Sequence, residues 1–238
     1  MKILVIVPCY NEQASLPKLL ADLECLALPS NYELSVAVIN DCSKDKTKEI
    51  AESSYATLIN LPVNLGIGGA VQSGLKYALQ NNFDLAVQID GDGQHPPKEL
   101  AKLIACYEQT NANLVIGSRF IDKVGFQSSF IRRSGITYFR YLNKILTGKK
   151  IYDSTSGFRL FDRQAIRLCA GYYPDDYPEP ESLIFFSKAG LVIKETSVIM
   201  EERNGGQSSI RHFASVFYCL KVTLAMLFSS LRKPDLVC

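Results

Sequence analysis

A repeated alternation of short apolar runs and helical patterns, each run ending in a polar loop, constrains this chain most. Ile3-Leu4-Val5-Ile6-Val7 is a continuous aliphatic run, the pattern of a strand covered on both faces. Pro8–Glu12 closes it, and Leu16, Leu19, Leu20 and Leu23 then recur at helical spacing. Ser35–Ile39 predicts a second strand, Asn40–Ser43 its exit loop, and Lys44–Ser53 a charged helix with Ser43 as N-cap. Ala56–Leu61 predicts a third strand, followed by glycines at 66, 68 and 69 and a helix over Ala70–Leu79. A fourth strand carries Asp90, a helix spans Lys98–Thr110, and Leu114–Ile116 is a short fifth strand. This order implies an α/β fold, with a mainly parallel central sheet flanked by helices.

In an open α/β sheet, ligands bind at the carboxyl ends of strands. Gln88-Ile89-Asp90-Gly91-Asp92-Gly93-Gln94-His95 falls at such an end. Asp90 and Asp92 flank one glycine, a spacing that lets a loop turn two hard oxygen ligands toward one divalent cation, and Gln94 can add a third oxygen. Mg²⁺ or Mn²⁺ suits these ligands, because such ions take carboxylate and carbonyl oxygens and keep positions open for substrate phosphates. An Asx turn uses the same residues, and the segment alone does not separate the two readings. Gly66-Ile67-Gly68-Gly69 completes neither a dinucleotide fingerprint nor a P-loop, and reads as a tight turn before a helix.

The second half breaks the pattern. From Arg119 to Lys150, eight Lys and Arg residues stand against one acid, Asp122. Within residues 128–147, Ile131, Tyr138, Leu142, Ile145 and Leu146 form an apolar stripe, with Arg133, Arg140 and Lys144 on another. Such a basic amphipathic helix suits either a membrane surface or packing on the sheet with a solvated basic face. Asp153–Phe161 is a polar turn feeding a short strand, Pro178 can start a helix with Glu179 and Glu181 in its first turn, and Val192–Met200 predicts a strand. The loop after Met200 carries Arg203 and could fold over a ligand. Phe213–Leu231 holds Lys221 as its sole charge, yet several Ser, Thr and Tyr residues interrupt its apolarity, which favours an interfacial or partner-packed helix over a span.

The 238 residues thus divide into an α/β domain at 1–210 and an apolar C-terminal helix at 211–238. A formal charge of +2 excludes bulk electrostatic binding of nucleic acid. Seven cysteines with no C-x-x-C pair imply free thiols in a reducing compartment. The apolar run at the N-terminus is too short for a signal peptide, so a cytoplasmic protein is expected.

Taken together, Val7-Pro8-Cys9-Tyr10-Asn11-Glu12, Asn40-Asp41-Cys42-Ser43-Lys44-Asp45, Asn64-Leu65-Gly66, Asp90–His95, Gly117-Ser118-Arg119 and Ser156-Gly157-Phe158-Arg159 resemble family 2 of the glycosyltransferases. Within it, the chain looks most like the dolichyl- and polyprenyl-phosphate sugar transferases, from Met1 to about Ser209. The resemblance implies the GT-A fold and an inverting, metal-dependent transfer from a UDP- or GDP-sugar, with UDP favoured, to a polyprenyl phosphate. It implies that Pro8, Tyr10 and Glu12 line the nucleoside pocket and that Asp41 contacts base or ribose. It also implies that Asp90, Gly91 and Asp92 meet the diphosphate, with Asp90, Asp92 and Gln94 on Mg²⁺ or Mn²⁺. Arg119, Arg133 and Arg203 would sit near the acceptor phosphate and donor diphosphate, with Asp92, Arg119 and Arg203 catalytic.

Cys42 replaces the glycine often found after the aspartate matching Asp41. The multi-span C-terminal region of some relatives is not seen here, so the chain is expected to lie peripherally on the inner membrane face. A homo-oligomer or a small membrane-protein partner could cover its apolar helix. A saccharide hydroxyl acceptor in cell-surface polysaccharide assembly is the alternative, with Glu179 or Glu181 as the base that such a hydroxyl needs. An inactive GT-A-like scaffold that binds nucleotide sugar and, at a lower rank, a nucleotidyltransferase are the readings of other classes.

Overall fold

The computed structural model describes residues 1–122, 130–176, 178–202 and 214–231. The strands β1 (Lys2–Cys9), β2 (Glu33–Asn40), β3 (Thr57–Asn60), β4 (Leu85–Gln88), β5 (Leu114–Ser118), β6 (Arg159–Asp162) and β7 (Ile193–Ser197) form one seven-stranded sheet, ordered β3-β2-β1-β4-β6-β5-β7. Every neighbouring pair is parallel except those of β6, which runs against β4 and β5. The mainly parallel expectation therefore holds. The reversed β6 has a consequence for the site, because its first residues lie at the edge where β1, β2, β4 and β5 end.

Both faces of the sheet are covered, as the unbroken apolar run of β1 requires. Ile3, Val5 and Val7 belong to a core that also holds Leu16, Leu19 and Leu23 of α1 (Leu16–Glu24), Ala51 of α2 (Thr47–Glu52) and Leu103 of α4 (Leu100–Thr110). Leu4 and Ile6 share the opposite core with α3 (Gly66–Gln80), α6 (Arg163–Gly171) and α7 (Pro178–Lys188). Burying each of the Val, Leu and Ile side chains stabilises the fold by roughly 1.5–3 kcal/mol. A third cluster of Phe139, Ile184, Val222 and Met226 joins α5 (Phe130–Thr147) and α8 (Ala214–Leu231) to α7, outside the sheet layers.

Two helix starts differ from the sequence reading. The second helix begins at Thr47, with Lys46 at the N-cap position, because the Asp45 carboxylate accepts the Thr47 N–H and hydroxyl. Ser43 accepts the Asn11 N–H instead. The glycines at 66, 68 and 69 form the first turn of α3 and do not precede it. Leu65 cannot cap, and Asp41 does so from a distance, accepting Leu65 N–H at 2.7 Å and Gly66 N–H at 3.0 Å. The last strand is also shorter than expected and ends at Ser197.

α5 carries a buried face and an exposed one. Ile136, Phe139 and Asn143 are buried, while Tyr138 and Ile145 of the apolar stripe point outward together with Tyr141, Ile145 being 78% exposed. On α8, Leu220, Leu224, Leu227, Phe228 and Leu231 are exposed, the last at 80%. The Tyr138 and Thr223 hydroxyls, 3.0 Å apart, bring the two helices side by side. Among the described residues no helix is long and apolar enough to cross a membrane.

The close packing of α3 gives a test. A Cβ on Gly68 would lie 1.9 Å from Pro174 O and 2.3 Å from Asp175 O, both backbone atoms, whereas one on Gly135 of α5 meets nothing within 4 Å. Gly68→Ala is expected to destabilise by about 1–3 kcal/mol, and Gly135→Ala to stabilise by up to about 1 kcal/mol. Urea unfolding of the two variants measures both.

Candidate active site

Three loops meet at the carboxyl edge. The loop after β1 is laced to the loop after β2: Lys44 N–H donates to Asn11 Oδ1 at 2.7 Å, Glu12 N–H to Thr47 Oγ1 at 2.8 Å, and Gln13 N–H to Asp45 Oδ2 at 3.1 Å. Asn11 and Cys42 both adopt left-handed backbone, at φ 59° and 60°. That conformation explains why glycine suits the position of Cys42. Ser15 precedes α1 without capping it, and its hydroxyl lies 2.7 Å from Gly91 O and 2.9 Å from Glu12 Oε2.

The acidic loop is pressed down on this pair. Gly91 N–H donates to Pro8 O, and a Cβ on Gly91 would sit 2.6 Å from Cys9 Sγ. The resulting field is recorded by Cys9, whose thiol is pushed well up, first by burial and then by Glu12, Asp90, Asp92 and Asp45. Within the loop Asp92 is buried and accepts Gln94 N–H at 3.0 Å, the Asx turn of the plain reading. Gln94 Nε2 lies 3.5 Å from Glu201 O. Asp90 is held from two sides, its N–H donating to His95 Nδ1 at 3.1 Å and its Oδ1 accepting from Gln88 Nε2 at 2.9 Å. The buried His95 ring stacks on Phe158, with centroids 5.2 Å apart.

The start of β6 closes the other side. Arg159 is fully buried, and its guanidinium donates to Ser156 O, Ser154 O, Ser182 Oγ and Glu179 O, stapling the turn before β6 to the first turn of α7. Arg119 donates through Nε and Nη2 to Asp153 at 2.7 and 2.8 Å, and Asp153 N–H in turn donates to Glu195. Burial works against the Arg119 charge, and Asp153 more than restores it. Half-buried Glu179 is pushed up to about 7, chiefly by burial and further by Asp90, with Arg159 and Arg119 opposing. Asp90, Arg119 and Glu179 therefore feel one another's charge. Glu181 lies 3.4 Å from the Tyr172 hydroxyl.

An aliphatic strand ending in paired carboxylates beside a buried arginine fits a site for an anionic, metal-bound leaving group. The profile of Glycosyl transferase family 2 matches residues 4–168. The chain belongs to this family. It is 33% identical to an undecaprenyl-phosphate mannosyltransferase of Micrococcus luteus over 70% of this chain and 69% of that one. It is 30% identical to a UDP-N-acetylglucosamine–dolichyl-phosphate N-acetylglucosaminyltransferase of Methanococcus voltae over 82% of this chain and 84% of that one. In fold it matches glucosyl-3-phosphoglycerate synthase of Mycobacterium tuberculosis, solved with Mn²⁺, UDP and phosphoglyceric acid, with a TM-score of 0.71 and 20% identity over 99% of this chain and 80% of that one.

In this family-2 glycosyltransferase the structure gathers Pro8, Glu12, Asp90, Gly91, Asp92 and Gln94 at one edge, with exposed Tyr10 on the β1 loop. Asp41 is buried and its carboxylate holds the start of α3. Arg119 is buried in an ion pair with Asp153 and feels the charge of Asp90, Arg133 is exposed on α5, and Arg203 lies outside the described residues. Sequence reasoning missed the supporting set of Gln88, Asp153, Arg159 and Glu195. Arg159 had a signal, since an arginine inside the apolar run Phe158-Arg159-Leu160-Phe161 demands buried acceptors.

The residues present fit a divalent cation. Two carboxylates with an amide oxygen supply part of a shell and leave the rest to substrate oxygens, and four carboxylates already raise the local negative field around Cys9. Among the described residues no group of three His, Cys, Asp or Glu side chains forms a metal cluster.

Gln88 carries a cost. Its Oε1 is buried without a hydrogen-bond partner, a situation worth roughly 1–3 kcal/mol of lost stability. Glu179 carries another. Its folded pKa of about 7 lies above the unfolded carboxylate value, so its stability contribution is full at acid pH and lost as pH rises toward 7. Glu179→Gln is expected to raise Tm at pH 8 by about 2–4 °C, for roughly 1 kcal/mol, and to change it little at pH 4. Calorimetric scans at the two pH values check this.

Proposed function

We propose that this enzyme transfers one sugar, with inversion, from a UDP- or GDP-linked donor to a polyprenyl phosphate presented at the cytosolic face of a membrane. The observation that carries the lipid acceptor is the uncovered apolar surface of α5 and α8, edged by Arg133 and Lys144, on a domain with a donor-type acidic edge. An apolar stripe beside a basic one is the pattern of a helix lying in an anionic interface. The two relatives named above, whose names specify lipid phosphates, support the same acceptor class.

The chain's residues divide the work. Pro8, Tyr10 and Glu12 line the nucleoside side, and Asp41 shapes it by fixing the start of α3. Asp90, Asp92 and Gln94 would hold Mg²⁺ or Mn²⁺, which when bound neutralises charge on the departing diphosphate. Arg119 and Arg203 supply cations for developing negative charge, and Arg133 a cation toward the acceptor. As an acceptor phosphate oxygen bonds to the anomeric carbon, the bond from that carbon to the nucleoside diphosphate breaks. The phosphate is already ionised near neutral pH, so orientation matters more than proton removal.

One observation favours a second reading. Glu179, poised near 7 beside Asp90 and Arg119, has the properties of a general base for a saccharide hydroxyl. Glu181, whose carboxylate accepts from the Tyr172 hydroxyl, is the other acid of that turn.

The test is transfer of labelled sugar from a panel of UDP- and GDP-sugars, with Mn²⁺ or Mg²⁺, to polyprenyl phosphate in anionic vesicles. Label is expected in the lipid, with Asp92→Asn lowering the rate by about 100-fold or more. Ile145→Asp combined with Leu227→Asp is expected to reduce transfer in vesicles and to spare transfer to short-chain acceptor in detergent. Unlabelled lipid together with labelled saccharide, abolished by Glu179→Gln, would overturn the lipid reading.

A further inference from the structure

Gln88 occupies the last position of β4, beside Ile6 of β1 and Arg159 of β6, where an apolar side chain would pack without an orphaned polar atom. Its carboxamide has one orientation compatible with Asp90. Turned the other way, Oε1 would face the carboxylate oxygen that Nε2 now meets at 2.9 Å, and two acceptors would repel. Directing Nε2 at Asp90 is what leaves Oε1 buried and unpaired. A buried group kept at a cost to stability calls for an explanation outside packing.

Gly157 completes the arrangement. A Cβ there would lie 2.8 Å from Asp90 Oδ2 and 2.9 Å from Gln88 Nε2, so only a residue without a side chain leaves room for the pair. Asp90 is thus held at one oxygen by a donor and at its N–H by His95 Nδ1, while its other oxygen occupies space that a side chain at residue 157 would need.

We propose that Gln88 is a positioning residue for divalent-cation binding, with Gly157 as its steric counterpart: it sets the orientation of the Asp90 carboxylate toward the metal and the donor diphosphate. This rests on the metal-dependent donor reading above. Outer-shell partners of metal-binding carboxylates typically alter metal affinity by about 10–100-fold when removed.

The experiment titrates Mn²⁺ into the purified full chain with UDP, and in parallel with GDP, following loss of the free-ion electron paramagnetic resonance signal, alongside thermal unfolding without ligand. Gln88→Met keeps the length and removes both polar atoms. It is expected to unfold at or above the wild-type temperature and to bind Mn²⁺ about 10–100-fold more weakly. Gly157→Ala, which removes no polar atom, is expected to weaken Mn²⁺ binding in the same direction. A folded Gln88→Met that binds Mn²⁺ as wild type does, or a Gln88→Met destabilised to the point of not folding, overturns the positioning role and makes Gln88 structural. Wild-type protein that takes up no Mn²⁺ with either nucleotide overturns the metal reading itself, a result distinct from failure of the variants.

Discussion

Like charges held together are the constraint on which this structure depends. Glu12, Asp90, Asp92 and Asp45 come from three separate loops, and all raise the pKa of the buried thiol at Cys9. Such a cluster would spread apart unless the backbone held it. The hydrogen bond from Gly91 to Pro8, the Ser15 hydroxyl between Gly91 and Glu12, and the contacts of Asp90 with Gln88 and His95 provide that restraint. A concentration of negative field at a rigid edge favours a cation, and with it the diphosphate of a donor.

The sheet makes the cluster possible. β1 and β4 are parallel neighbours that both end at the acidic edge, and the chain leaves β1 toward β2 on one side while β4 lies on the other. A crevice at such a switch point is where α/β proteins bind ligands. The antiparallel β6 then brings its beginning, and with it Gly157 and Arg159, to the same edge. Buried Arg159 ties that beginning to α7 and so sets Glu179 near Asp90, while Asp153 orients Arg119. Stability is spent here on geometry, through an unpaired Gln88 oxygen and a desolvated Glu179.

Much of this was legible in the sequence. The runs Ile3–Val7 and Leu85–Val87 are aliphatic enough to specify buried strands, and their polar exits placed Asp90 and Asp92 correctly at the edge. Local pattern failed where partners are remote. Nothing near Leu65 announces that Asp41 starts α3, and Ser43 looks like a cap until Asn11 claims it. On α5, periodicity found the apolar stripe but not its direction, because Phe139 packs with Ile184 of α7 and with Val222 and Met226 of α8 while Tyr138 and Ile145 face outward. Which residues orient the site, Gln88 and Asp153 among them, depends on strand order, and strand order is not a local property.

Calorimetry of nucleoside diphosphate binding tests most directly whether the acidic edge is a joint site for cation and nucleotide. UDP or GDP is expected to bind with Mn²⁺ present and to lose affinity by about 10-fold or more when the metal is chelated or Asp92 is replaced by Asn. Equal affinity for the nucleotide with and without Mn²⁺, in both wild type and Asp92→Asn, would contradict it.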